Sequence, residues 1–94
     1  MSEWKSGRIE VWLTLEDAGF GVFGRVVFDD ETVKALGVAA LSIYGAEREI
    51  TAKLVSQGYE AAGDWETQAE TNSGEAMEVS RDFVPVTADA SLAR

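Results

Sequence analysis

Ile9-Glu10-Val11-Trp12-Leu13-Thr14-Leu15 alternates along its length. Ile9, Val11, Leu13 and Leu15 share one face at period two, and Glu10, Trp12 and Thr14 share the other. Successive side chains leave a strand on opposite sides, so the run predicts a β-strand with one buried face. A second run, Val22–Phe28, is rich in β-branched and aromatic residues and predicts another strand. The connection through Glu16-Asp17-Ala18-Gly19 is short and carries turn chemistry. The two strands are therefore expected to form an antiparallel hairpin.

Downstream the pattern becomes helical. Asp29-Asp30-Glu31-Thr32 reads as a helix start: an Asp caps free backbone N–H groups, and acids suit the positive end of the helix dipole. Val33 and Leu36 lie three apart, and Gly37 followed by Val38 closes a short helix. Ser42 reads as a second N-cap. Ile43, Ala46, Ile50 and Leu54 then recur at spacings of three and four, which predicts an amphipathic helix over 43–57 ended by Gly58. Two other readings fit the middle: residues 38–44 as a short buried strand, or one long helix through Gly37 and Gly45.

From Tyr59 the period returns to two. Tyr59, Ala61, Gly63, Trp65, Thr67 and Ala69 alternate with Glu60, Ala62, Asp64, Glu66, Gln68 and Glu70. Thr71-Asn72-Ser73-Gly74 has turn chemistry. Met77, Val79 and Phe83 then alternate with Glu78, Ser80 and Asp82 in a strand ending near Pro85. The expected fold is α+β: a four-stranded antiparallel sheet in the order β-β-α-α-β-β, with both helices packed on one face. Residues 1–86 form the single domain and 87–94 a frayed tail. The strand order stays open.

Composition narrows the function. The chain of 94 residues carries 17 acidic and 8 basic side chains, a formal net charge of −9. Direct nucleic-acid binding and attraction to an anionic membrane both depend on Lys and Arg, so neither is expected. There is no Cys and no His. That removes thiol nucleophiles, the side chain best suited to proton transfer near neutral pH, and the usual zinc ligands. No cofactor is expected. Met1–Arg8 is polar, and no apolar run approaches the roughly 20 residues that span a bilayer. Cytoplasmic residence is the expectation.

Three features invite chemistry and fall short of it. Gly19-Phe20-Gly21-Val22-Phe23-Gly24-Arg25-Val26 fits the glycine-rich, phosphate-covering loop of protein kinases in spacing. The next segment, Val38-Ala39-Ala40-Leu41, lacks the required lysine, and a catalytic loop containing His is impossible. Strand and not helix follows the glycines, which also removes the dinucleotide reading. The trio Asp29, Asp30 and Glu31 is consecutive and lacks a calcium-loop pattern, so capping explains it better than a metal. Lys53 and Ser56, three apart on a helix, have base and nucleophile chemistry, but both are expected to face solvent.

Two surfaces remain. The non-core face of the first hairpin carries Trp12, Phe23, Arg25 and Val27. An aromatic pair beside an Arg is the composition of an interface hot spot. The second hairpin presents Glu60, Asp64, Glu66, Glu70, Glu78 and Asp82, with seven acids and one Arg over residues 60–82. A turn centred on Ser73 sets Asp64 near Asp82 and Gln68 near Glu78. On its other side Trp65 meets Arg81 in a cation–π contact. The expected function is a non-catalytic protein-interaction module working through the apolar sheet face, as a homo-oligomer or a small accessory subunit. A second expectation is an acidic mimic of nucleic acid that captures a basic protein through the 60–82 hairpin. A third is a small enzyme using carboxylates alone.

Overall fold

A computed structural model describes residues 7–16 and 21–86. Strand β1 is Ile9–Leu15, β2 is Val22–Phe28 and β3 is Val33–Leu36. Helix α1 is Ile43–Ser56, and strands β4 (Tyr59–Glu70) and β5 (Ala76–Pro85) follow. The five strands form one antiparallel sheet in the order β3-β2-β1-β5-β4. The expected four-stranded sheet with two helices is thus corrected to five strands and one helix. The class is still mixed α+β.

The correction lies in residues 29–36. Asp30 does not cap a helix; its Oδ1 accepts from the backbone N–H and the hydroxyl of Thr32, at 3.1 and 2.6 Å. That side chain closes a turn on its own backbone. The Phe28 N–H donates to Thr32 O and the Glu31 N–H to Phe28 O, at 2.9 and 2.8 Å. Glu31 sits at φ +73°, in the left-handed region. A three-residue hairpin loop with a left-handed third residue follows from this geometry. The chain then continues as strand, with Val33 opposite Val27 and Leu36 opposite Gly24. Val33 and Leu36 therefore face opposite ways, where the helical reading had put them on one side.

Residues 37–42 form a loop, which excludes both the strand over 38–44 and the long helix through Gly37. Ser42 caps α1, its hydroxyl accepting from the Gly45 N–H at 3.1 Å. The predicted stripe of Ile43, Ala46, Ile50 and Leu54 is buried. Gly58, at φ +94°, turns the chain out of the helix. The stripe packs on the sheet face made by Ile9, Val11, Leu13, Val26, Val79 and Phe83. This one-sided burial is the main source of stability, at roughly 25 cal/mol per Å² of apolar surface removed from water.

Gly24 belongs to that face. A Cβ there would lie 3.0 Å from Val38 Cγ2 and 3.1 Å from the Leu36 Cβ. The absent side chain lets the 37–42 loop close over β2. Close packing, not phosphate contact, accounts for this glycine. Gly19 and Phe20 of the same motif, residues 17–19 of the proposed turn, and the expected tail of 87–94 lie outside the described residues. Among the described residues, no helix is long and apolar enough to cross a membrane.

Candidate functional site

The first hairpin and the last meet directly, because β1 pairs with β5. The two surfaces expected to be separate are therefore one continuous outer face, on the side of the sheet away from α1. Three rows of side chains cross it. Val33, Val27, Glu10, Asp82 and Ala62 are successive partners in one row. Ala35, Arg25, Trp12, Ser80 and Glu66 form the next. Phe23, Thr14, Glu78 and Ala69 form the third. From β3 and β2 toward β5 the outer two rows pass from apolar to acidic and close on alanine at β4, while the middle row ends on Glu66.

Trp12 and Arg25 occupy the middle. They are direct cross-strand partners, with the guanidinium 5.0 Å from the ring centroid. Arg25 Nη1 also lies 3.9 Å from Glu78 Oε2, and the Thr14 hydroxyl donates to that oxygen at 2.8 Å. Phe23, one register step from Trp12, is 45% exposed, and Val33 is 60% exposed. All four expected residues, Trp12, Phe23, Arg25 and Val27, share this face. Val33 and Ala35 join them but were hidden by the helical reading of 33–36. Their alternation with Lys34 and Leu36 was the available signal.

The acidic residues divide. Asp82 is held by Arg8, which donates to it from Nε at 3.2 Å and from Nη2. That contact raises the Arg8 guanidinium further and offsets the direct opposition of Glu10 and Asp82 across β1–β5. Glu78 is engaged by Thr14 and Arg25. Glu60, Asp64, Glu66 and Glu70, all exposed on β4, make no salt bridge among the described residues.

The expected register of this hairpin is corrected. Ala62, not Asp64, lies opposite Asp82, and Ala69, not Gln68, lies opposite Glu78. Register shifts between Ala62 and Glu66 and between Thr67 and Ala69 produce the offset, with Gly63 at φ +92° inside the first. Extra residues on one strand are what a bulge accommodates. Their effect here is to set an alanine, and not a second acid, across from each carboxylate. Gln68 reaches Ser80 instead, its amide donating to the hydroxyl at 2.9 Å. The carboxylates of β4 are consequently not evenly spaced.

On the opposite side of the sheet, the Arg81 guanidinium lies 5.8 Å from the Trp65 ring and 5.7 Å from the Phe83 ring. The expected Trp65–Arg81 contact is present. Lys53 and Ser56 do not meet as base and nucleophile: the Ser56 hydroxyl donates to the Lys53 carbonyl at 2.7 Å. The chain matches no protein-family model, no curated protein and no solved structure.

Proposed function

We propose that this chain is a non-catalytic protein-interaction module whose working surface is the outer face of the sheet, and that its partner presents an apolar centre with a basic rim. The observation that carries this reading is the gradient across the face. Phe23, Val27, Val33 and Trp12 supply an apolar half, and Glu60, Asp64 and Glu66 supply an acidic edge with no salt bridge among the described residues. Interfaces combine an apolar core with a polar rim, and charge complementarity selects the partner.

Size and symmetry argue for a different protein over a second copy. The strands run from four residues in β3 to twelve in β4, at about 3.4 Å per residue and about 4.8 Å between neighbours. The whole face thus covers roughly 650 Å², somewhat below the ~800 Å² per partner of a standard interface. Its apolar half alone is too small. The two limiting arrangements of a symmetric pair using the whole face put its two-fold along or across the strands. With the two-fold along the strands, each β4 edge lies on the partner's Val33 and Phe23. With the two-fold across the strands, β4 lies on β4. Either places carboxylates against valine and phenylalanine or against each other, and each buried unpaired charge costs several kcal/mol, roughly.

The test puts a photo-crosslinking phenylalanine at position 23 and irradiates host lysate. A crosslinked basic protein is expected. It should be lost at high salt and when Glu60, Asp64 and Glu66 are all changed to Lys. Crosslinking that survives the reversal, or crosslinks only to a second copy of the chain, overturns the reading.

A further inference from the structure

The helix side of the sheet carries a cleft independent of the outer face. It has a volume of about 390 Å³ and is lined by Glu47, Arg48, Thr51, Ala52, Trp65 and Arg81. We propose that this cleft binds a small organic carboxylate with a flat apolar body, using Arg48 and Arg81 as its counter-charges.

Arg81 is the first observation. It lies between Val79 and Phe83 on the core-facing side of β5, opposite Val11. Its Nε donates to the Gly63 carbonyl at 2.7 Å, and its flat faces rest near two aromatic rings. No carboxylate stands within 4.0 Å of it among the described residues. The chain holds 17 acids against 8 bases, so an arginine at the margin of a core with no carboxylate in salt-bridge contact among the described residues is unexpected. A half-buried guanidinium favours a bound anion, and its planar fork matches a carboxylate.

Arg48 is the second. It reaches the cleft from α1, with its guanidinium 5.8 Å from the Tyr44 ring and Nη1 3.4 Å from the Tyr44 hydroxyl. It too lacks a salt-bridge partner among the described residues. The third is Thr51, whose hydroxyl oxygen is buried with no hydrogen-bond partner among them. That hydroxyl is unsatisfied in the free chain and meets a ligand only when the Thr51 side chain turns toward the cleft.

Glu47 sets the charge of the ligand. Two guanidinium groups against one carboxylate leave a single positive charge, which suits a monoanion and disfavours a dianion. Burial raises the Glu47 carboxyl and the Arg81 charge opposes that rise. Ala52 and the Trp65 ring supply the apolar wall for the ligand's body. The volume lies in the lower part of the range for small-molecule sites.

The test titrates benzoate into the isotope-labelled full chain and follows the Trp65 indole N–H and the Thr51 amide by NMR. Saturable shifts with a Kd on the order of 1 mM are expected. Arg48→Gln, on the exposed side of the helix, should weaken binding about tenfold by removing one charge-assisted contact. Glu47→Gln should tighten it. Benzylamine should leave both signals unmoved. Arg81→Gln removes an aromatic contact and a backbone bond as well, so Arg48→Gln carries the decision. Four results would overturn the proposal: no saturable shift, equal binding of benzylamine, inorganic phosphate binding as tightly as benzoate, or Arg48→Gln without effect.

Discussion

Arg25 stacks on Trp12 from directly across the β1–β2 ladder, 5.0 Å from the ring centroid, while its Nη1 lies 3.9 Å from Glu78 on β5. One side chain therefore spans three strands on the outer face. It joins the apolar half, carried by β2 and β3, to the acidic half, carried by β5 and β4. The contact also holds the indole against the sheet, as a preformed anchor for a partner.

A double-mutant cycle measures this contact. Trp12→Ala and Arg25→Ala should each destabilise the fold modestly, because neither residue is in the core. Their coupling, read from urea denaturation, should be about 0.5–1 kcal/mol, the size of a partly exposed cation–π pair. Additive effects would remove Arg25–Trp12 as an interaction. Arg25→Glu should lose more than Arg25→Ala, since it sets a second acid beside Glu78.

Glu31 offers a stabilising change. It is the one non-glycine residue with a left-handed φ among the described residues, at +73°. A Cβ in that region costs roughly 1–2 kcal/mol, and glycine returns part of the gain as greater freedom in the unfolded chain. Glu31→Gly should therefore raise stability by about 0.5–1 kcal/mol. A fall in thermal midpoint would show that Glu31 makes a compensating contact. The same result would also distinguish the hairpin from the helix that residues 29–36 suggest, because glycine inside a helix destabilises.

Glu49 ties the 37–42 loop to α1. Its carboxylate accepts from the backbone N–H groups of Ala39, at 2.9 Å, and Ala40, at 2.8 Å. These bonds hold its pKa below the usual glutamate value. A depressed folded-state pKa means the stabilisation is complete above the unfolded value and is lost as pH falls through the folded one. Glu49→Gln should cost about 1 kcal/mol near neutral pH. The gap between wild type and variant, measured by urea denaturation, should narrow on acidification below the carboxylate range. A gap that stays constant with pH would mean that the charge of Glu49 contributes nothing.

Much of this arrangement was legible in local pattern. The alternation of Ile9–Leu15 and the stripe of Ile43, Ala46, Ile50 and Leu54 each specify an element and its buried side, because periods of two and 3.6 are set by backbone geometry alone. The outer placement of Trp12, Phe23, Arg25 and Val27 follows from the same alternation. Residues 29–36 were not legible that way. Asp30 has the chemistry of both a helix cap and a turn, and Val33–Leu36 is too short for its period to decide. Pairing with β2 settles it, since backbone groups of β3 find their hydrogen bonds along Val26 and Val27.

The acidic hairpin shows the other limit. Composition located its carboxylates, yet two register shifts decided that Ala62 and Ala69 face Asp82 and Glu78. Bulges respond to cross-strand repulsion and to the twist of the whole sheet, neither of which a single strand's sequence contains. By itself the sequence determined the strands flanking the first turn, the capped helix and the polarity of each face, all properties of neighbouring residues. Only the tertiary structure decided that β1 and β5 are partners. That pairing joins residues about seventy positions apart, through Ile9 and Phe83 at one end and Thr14 and Glu78 at the other. It turns an aromatic patch and an acidic hairpin into one surface.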